Sequence, residues 1–183
     1  EKMAKAVAAD PEKQQSNWFE KLTVVLSQLG EPPQPSTKKA AARPFAPSGG
    51  KNVHYEEFMK KMAKVDTDYF KSQNIFYAHG KTKTAVPVLY YIASRIHQDT
   101  DIEKLFHFML KTAQPVISKK YSVVIDLTGF TTSNAVTTQW AAQMAKILPP
   151  QAFDNLDQAF ILHPNTTFKK YLKRISKHVG RAS

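Results

Sequence analysis

Residues 80–82, Gly-Lys-Thr, are the clearest candidate in this sequence for binding a phosphate. The same three residues end the phosphate-binding loop of many nucleotide-binding proteins. That loop needs a glycine five residues before Gly80, where this chain has Ile75. It also needs a helix to follow, whereas Val86-Pro87-Val88 is typical of a strand. We therefore interpret the triplet as the turn of a hairpin.

Asp126 is the carboxylate best placed for catalysis, since it ends an apolar run of the kind that forms a buried strand. A phosphoaspartate enzyme would need a second aspartate two residues later, where this chain has Thr128. With Ser133 and Asn134 also nearby, capping of the next loop or helix is the simpler role for Asp126.

Six histidines are present, and none forms an HxH or HxxxH pair that would suggest a metal site: His54, His79, His97, His107, His163 and His178. The best candidate for a buried polar role is His163, which follows a strand-like run, although a place in the turn beside Asn165 is the simpler interpretation. The chain has no cysteine, which removes thiolate ligands and a cysteine nucleophile. We therefore predict no catalytic residues, no metal and no enzymatic cofactor.

Positive charge is concentrated at the C-terminal end. Residues 158–183 contain six Lys or Arg and no acid, whereas residues 54–157 contain twelve Lys or Arg against ten acids. Five of the six lie at helical spacing, opposite apolar residues: Lys169, Lys170, Lys173, Arg174 and Lys177. They form either a solvated helix face or a surface for anionic lipid headgroups.

Composition bounds the class of protein. The 183 residues are 42% hydrophobic, which favours a folded domain. No apolar run approaches the roughly 20 residues that span a bilayer, and no signal segment opens the sequence. The absence of cysteine fits a reducing cytosol.

The elements that must position these residues follow from hydrophobic periodicity. Residues 1–30 read as an amphipathic helical segment, residues 31–52 as a Pro/Ala/Gly-rich linker, and residues 53–183 as the main domain. Within it we predict helices at 53–70, 99–112, 133–148 and 166–178, and strands at 75–78, 86–94, 121–127 and 158–162. Pro115 and Pro149-Pro150 are expected to stop the second and third helices, and the last strand to be buried. Helices alternating with strands indicate an α/β fold with a largely parallel sheet.

Several phrases in this order resemble the CRAL-TRIO lipid-binding family, and most closely the module of neurofibromin-type Ras GTPase-activating proteins. They are Glu56-Glu57-Phe58-Met59; Phe76-Tyr77, Gly80, Lys83, Pro87, Tyr90-Tyr91 and Arg95; the strand Val123-Val124-Ile125-Asp126-Leu127-Thr128; Trp140; Phe153-Asp154-Asn155-Leu156; and Asn165 with Tyr171. The similarity runs from about Val53 to His178. Thr84-Ala85 stands where the family tends to have a glycine.

The resemblance implies an α/β bowl whose sheet floors an apolar pocket for one glycerophospholipid beneath a mobile helical lid. It also implies a cytoplasmic, peripheral membrane protein with adjacent pleckstrin-homology-like and Ras GTPase-activating domains. The family continues past the closing helix, so we expect the domain to be truncated at its C-terminal end. Strand residues are the candidates for the pocket wall, although they equally suit a solid core: Phe76, Tyr90, Tyr91, Ile125, Phe160 and Leu162.

Two alternatives to phospholipid binding remain. One is a protein-interaction scaffold of the same fold whose pocket is filled by side chains. The other is a basic nucleic-acid-binding module, which is disfavoured because the basic residues cluster at one end and most aromatics occupy apolar-face positions. We expect no nucleic acid partner.

Overall fold

A computed structural model describes the chain at residues 52–179, with side chains described as far as Ile175. The helices are α1 (Val53–Met62), α2 (Phe70–Gln73), α3 (Ile102–Ile117), α4 (Thr138–Ile147), α5 (Gln151–Asp154) and α6 (Thr166–Val179). The strands are β1 (Phe76–Lys81), β2 (Pro87–Ile92), β3 (Tyr121–Asp126) and β4 (Leu156–Leu162), and a 3₁₀ turn covers Ala93–Arg95. The predicted segments 1–30 and 31–52 lie outside this part of the chain, apart from Asn52.

The described strands form one sheet in the order β1-β2-β3-β4. β1 and β2 are an antiparallel hairpin, while β2, β3 and β4 run parallel. α3 connects β2 to β3, and α4 with α5 connects β3 to β4, as parallel strands require. The predicted α/β fold with a mostly parallel sheet is confirmed, and residues 80–82 lie at the hairpin as expected.

Side chains alternate between the two faces of the sheet, as they must in any strand. The helix-covered face carries Phe76, Leu89, Tyr91, Tyr121, Val123, Ile125 and Ile161, which pack with helical side chains. The opposite face carries their neighbours along the chain: Tyr77, Val88, Tyr90, Ile92, Ser122, Val124, Phe160 and Leu162.

α3 closes one end of the helix-covered face. Its Leu105, Phe108, Ala113 and Ile117 are all buried in one cluster with Leu89 and other strand residues. α1 and α4 cover the far side of α3, where Phe58 and Ile147 pack against Phe106 and Leu110 of α3. This end of the domain therefore has three layers in space: the sheet, then α3, then α1 together with α4.

Asn52 joins this second layer together at one point. Its Oδ1 accepts a hydrogen bond from the Tyr55 amide at 3.2 Å, which caps α1. Its Nδ2 lies within hydrogen-bonding distance of the carbonyl oxygens of Lys146, Ile147 and Leu148, at 2.9–3.3 Å. Those carbonyls end α4 and have no partner within the helix. One side chain thus serves the start of α1 and the end of α4.

The prediction that Pro115 ends the second long helix is wrong, because α3 continues through it to Ile117. A proline inside a helix costs roughly 3 kcal/mol, through a lost hydrogen bond and a clash. Beyond the predicted end, Ala113 and Ile117 are buried and Val116 is half-buried against the same cluster. Each buried Val or Ile contributes about 1.5–3 kcal/mol, which is enough to offset the proline.

The third predicted helix begins five residues too early, since α4 starts at Thr138. The Thr137 hydroxyl accepts from the Trp140 amide at 3.3 Å and supplies the cap. Asn134, expected near a cap, instead folds the preceding loop: its Oδ1 accepts from the Thr131 amide at 2.9 Å, and its Nδ2 donates to the Gly129 carbonyl at 3.1 Å. Side chains that bond locally in this way compete with helix formation.

Two further predictions differ from the structure: the end of the first helix and the burial of the last strand. The helix predicted at 53–70 ends at Met62, and Phe70 instead opens the short α2. The last strand is not buried as predicted, because β4 lies at an edge of the described sheet. Phe160 and Leu162, on its opposite face, are 43% and 42% exposed. In residues 52–179, no helix has the length and apolar character needed to cross a membrane.

Candidate functional site

α6 covers the other end of the helix-covered face with aromatic side chains. Phe168 and Tyr171 both pack on the buried Phe130, with ring centroids 5.3 and 5.4 Å away. The Phe168 ring meets Phe130 edge-on at 87°, the favoured geometry for an aromatic pair. The apolar stripe of α6 therefore faces into the domain.

Beneath α6 lies a row of three side chains from neighbouring strands, Tyr91, Ile125 and Ile161, which we call the α6 floor. Tyr91 is paired in register with Ile125, and Ile125 with Ile161. All three are half-buried and pack on a buried cluster of Ala93, Leu127 and Phe130. This apolar surface, between the sheet and one helix, is packed less completely than the core under α3.

Asn165 fastens the beginning of α6 to the loop that follows β3. Its Nδ2 donates to the Phe130 carbonyl at 2.7 Å, and its Oδ1 accepts from the Phe168 amide at 2.9 Å. The same residue thus caps α6 and ties it to the loop. His163, just before it, has a left-handed backbone with φ of 51°, so the chain turns sharply between β4 and α6. The side chain of His163 is exposed, so the buried polar role considered for it is wrong, and the residue serves the turn instead.

The hydroxyl groups of Tyr91 and Tyr171 lie in an environment that disfavours their charged forms. Burial raises the pKa of Tyr171 to about 12. Burial also raises the pKa of Tyr91 far above its usual value, and the nearby Tyr171 adds to the shift. Neither hydroxyl has a hydrogen bond to any described residue. By contrast the buried Tyr121 hydroxyl donates to the Ala152 carbonyl.

The outer side of α6 is basic, with Lys169, Lys170, Lys173 and Arg174 all exposed. Between residues 52 and 175, no acidic side chain forms an ion pair with any of the four. Lys177 lies in the part of α6 where the backbone alone is described. α6 therefore presents aromatic side chains inward and unneutralised positive charge outward.

The six pocket candidates from the sequence do not come together. Phe76, Tyr91 and Ile125 lie on the helix-covered face, whereas Tyr90, Phe160 and Leu162 lie on the opposite face. Phe76 is buried in the cluster under α3, although its partner across the hairpin is Tyr91 of the α6 floor. Only Tyr91 and Ile125 thus belong to the α6 floor.

Sequence reasoning missed Ile161, Phe168 and Tyr171 as members of the site. The signal was present in the two periodicities. Ile161 is one position away from the two candidates chosen in β4, and strand side chains alternate between faces. Phe168 and Tyr171 are three residues apart, on the side of α6 that is opposite the lysines.

The polar groups considered for catalysis have structural surroundings: Asp126 makes hydrogen bonds to its own loop, and His107 is buried in the core. The Asp126 Oδ1 accepts from the Thr128 amide at 2.9 Å, and the Thr128 hydroxyl and amide lower the pKa of the carboxyl. His107 is buried in α3 beside Phe58, and burial lowers the pKa of its imidazole. Within residues 52–179, no three His, Asp or Glu side chains lie together as a metal ion would require.

Two comparisons with known proteins agree with this geometry. The chain is 26% identical over 127 residues to the Rho GTPase-activating protein gacY of Dictyostelium discoideum. That alignment takes in 69% of this chain but 18% of the relative, so the chain spans less than a fifth of its length. The sequence model of the divergent CRAL/TRIO domain matches residues 86–183, from β2 through α6. Since this match covers more than half of the 183 residues, the chain belongs to the divergent CRAL/TRIO domain family.

Proposed function

We propose that this domain binds one glycerophospholipid without chemistry and docks on anionic membranes through α6. The observation that carries the proposal is the two-sided character of α6. Its Phe168 and Tyr171 face the half-buried α6 floor, while four basic side chains face outward. Acyl chains suit the first surface and phosphate headgroups the second.

The apolar side of the site supplies the driving force for holding a lipid. Burial of each methylene group contributes about 0.8 kcal/mol, so about ten methylenes buried on Tyr91, Ile125 and Ile161 would contribute about 8 kcal/mol, which corresponds to micromolar affinity. In this proposal α6 is the lid that the family resemblance implies. It moves away from the α6 floor for the lipid to enter and packs back over the bound chains.

The basic side of α6 supplies the attraction to a membrane. A Lys or Arg near an anionic surface contributes about 1 kcal/mol, and the effect is screened by salt. Lys169, Lys170, Lys173 and Arg174 thus give weak, reversible attachment to the cytoplasmic face of a membrane. Lys177, at the same helical spacing, is proposed to add to it. Attachment would bring α6 to the place where lipid is exchanged.

We further propose that the domain is a regulatory module of a larger GTPase-activating protein, with pleckstrin-homology-like and GTPase-activating domains beside it. Support comes from the neurofibromin-type phrases and from the similarity to a relative named as a Rho GTPase-activating protein. The resemblance points to Ras and the relative's name points to Rho, so an activity assay decides on which GTPase the parent protein acts. Activity of the full-length parent on purified Ras and Rho, with and without this domain, distinguishes them.

The decisive experiment is native mass spectrometry of the purified chain, followed by solvent extraction and identification of any lipid. We expect a stoichiometric adduct that extracts as a glycerophospholipid. An apo mass that persists after incubation with mixed liposomes would overturn lipid binding. That outcome would favour the alternative of a scaffold with the same fold, whose site is filled by its own side chains.

A matched variant locates the lipid. Ile125→Trp fills the α6 floor with a larger apolar side chain, and Val124→Trp places the same bulk on the opposite face of the same strand. If the lipid lies under α6, the first variant loses the adduct and the second keeps it. The reverse result would move the lipid to the opposite face.

A further inference from the structure

The opposite face of the sheet carries an apolar row that crosses the four described strands. Tyr77 pairs in register with Tyr90, Tyr90 with Val124, and Val124 with Phe160. The Tyr77 and Tyr90 rings stack 5.1 Å apart, and Phe160 at the other end of the row is 43% exposed. Within residues 52–175, none of these four side chains belongs to the apolar clusters in which helices pack on the sheet. The described helices therefore leave this row without a cover.

The strands themselves have the composition of a sheet that is covered on both sides. Parallel sheets are usually buried on both faces, and their strands are accordingly apolar throughout. β3 follows this rule, because Val124 on the opposite face lies between Val123 and Ile125 on the helix-covered face. Val88 and Ser122, paired in register on the opposite face, are only 6% and 0% exposed, and the Ser122 hydroxyl has no hydrogen bond to any described residue. Both observations favour a further element over this face.

One segment of this chain has the composition of such an element. Residues 18–29 carry an apolar stripe at helical spacing: Trp18, Leu22, Val25, Leu26 and Leu29. Residues 180–183, Gly-Arg-Ala-Ser, have no such stripe. A helix over residues 18–29 would be about 18 Å long, and a row across four strands is about 14 Å long. One such helix is therefore long enough to cover the row.

The linker is long enough to bring this segment to the opposite face. Asn52 begins α1 in the outer helical layer, so α3 and the sheet separate it from that face. With layers about 10 Å apart, a helix on the opposite face would lie roughly 30 Å from Asn52. Residues 31–51 include five prolines, and at about 3.1 Å per residue an extended chain of this length spans up to about 65 Å. Helices that pack side by side usually need about 2–8 residues between them, so this length suits a more distant position.

We propose that residues 18–29 of this chain form an amphipathic helix that packs on the opposite face of the sheet, across Tyr90, Val124 and Phe160. The apolar stripe of the segment meets the apolar row, and its polar side, with Lys21 and Gln28, faces water. The segment is then a layer of the same domain rather than a separate unit before it. This proposal goes beyond lipid binding and does not depend on a lipid under α6.

Tryptophan fluorescence tests whether Trp18 is buried. The chain has two tryptophans, so Trp140→Phe leaves Trp18 as the sole reporter. Its emission maximum should lie at the short wavelength of a buried indole, and Phe160→Asp should shift it to that of tryptophan in water. The matched control is Val53→Asp, at a side chain that is 59% exposed on α1, and it should leave the emission unchanged. Emission like that of tryptophan in water, already with Phe160 in place, would overturn the proposal.

Cross-linking distinguishes this segment from a second copy of the chain, and it is simple to interpret because the chain has no cysteine. Lys21→Cys is combined with Gln158→Cys, which lies on the opposite face, and the two are joined by a short bismaleimide. The comparison pair joins Lys21→Cys to Glu57→Cys, an exposed position in α1 that is nearer along the chain. The first pair should react within one chain about tenfold faster than the second. Equal rates would show that the segment has no fixed place on the sheet, and products that join two chains would show that a second copy covers this face. Either result would overturn the proposal.

Discussion

The two ends of the helix-covered face are built from similar residues but packed differently. Under α3, Leu105, Phe108 and Ile117 are 2%, 5% and 6% exposed. Under α6, Phe168, Tyr171 and the α6 floor are half-buried, although the sheet continues unbroken between the two ends. α3 is also backed by α1 and α4, so it is a fixed wall. The difference separates a fully packed half from a half whose side chains stay partly open to solvent, which is where we propose that lipid binds.

The largest test of this comparison substitutes one phenylalanine at each end. Phe108→Ala should lower the free energy of unfolding by about 3–5 kcal/mol, because it empties a closed core position. Phe168→Ala should lower it by about 1–2 kcal/mol, since that ring is half-buried and contributes one edge-on aromatic pair. Urea denaturation of both variants measures the difference, and equal losses would break the distinction between the two ends.

A second test concerns the outer side of α6. Replacing Lys169, Lys170, Lys173 and Arg174 by Gln should weaken binding to phosphatidylserine-containing vesicles roughly 10²–10³-fold at low salt, at about 1 kcal/mol per residue. Co-sedimentation with vesicles measures it. The matched control removes four exposed lysines elsewhere: Lys60, Lys64, Lys81 and Lys83. Similar losses in both variants would show that net charge alone, and not α6, determines binding.

A third test weakens the layer that supports α3. Asn52→Ala removes the cap of α1 and the bonds to the end of α4, and should lower the free energy of unfolding by about 1–2 kcal/mol. Lipid affinity should not change, because the α6 floor is not touched. Thermal unfolding and lipid displacement measured on one preparation check both parts. A loss of affinity without a loss of stability would mean that the supporting half is itself part of the site.

The smallest expected effect is a pH dependence at the α6 end. Thr128 lowers the pKa of Asp126 in the folded chain below its unfolded value. The carboxylate therefore stabilises the fold above the unfolded pKa, near pH 4, and this contribution is lost as pH falls through the folded pKa. Unfolding measured between pH 5 and 3 should show a shallower decline for Asp126→Asn than for the wild type. Identical slopes would exclude Asp126 as a contributor.

Much of the fold could be read from the sequence, because strands and helices differ in hydrophobic period. α6 and the succession of helices and strands along the chain follow from this difference directly. The extension of α3 past Pro115 could not be read, since it depends on burial of Val116 and Ile117 against a sheet that the local sequence does not contain. The start of α4 depended on which of several neighbouring polar side chains acts as the cap.

The site could be predicted less well than the fold. Tyr90 and Tyr91 are adjacent and alike in sequence, yet they point to opposite faces of β2. Which face meets α6 is decided by the crossover connections, and not by either residue. The same holds for β4, where Ile161 lies on the helix-covered face and its neighbour Phe160 lies on the opposite face. The sequence therefore predicts which kinds of side chain line the site, but the topology of the sheet decides which of those residues meet there.

The attachment at Asn165 determines how α6 can move. Its first turn is tied to the loop at Phe130, and Ile175 near its far end is only 8% exposed, so the 14-residue helix, about 20 Å long, is held at both ends. A rotation of about 15° would displace its far end by roughly 5 Å, while the first turn, next to Phe168, hardly shifts. Such a rotation would withdraw Ile175 from its buried position, so Ile175 is the contact whose release would open the space beneath α6 if the proposed lipid enters there.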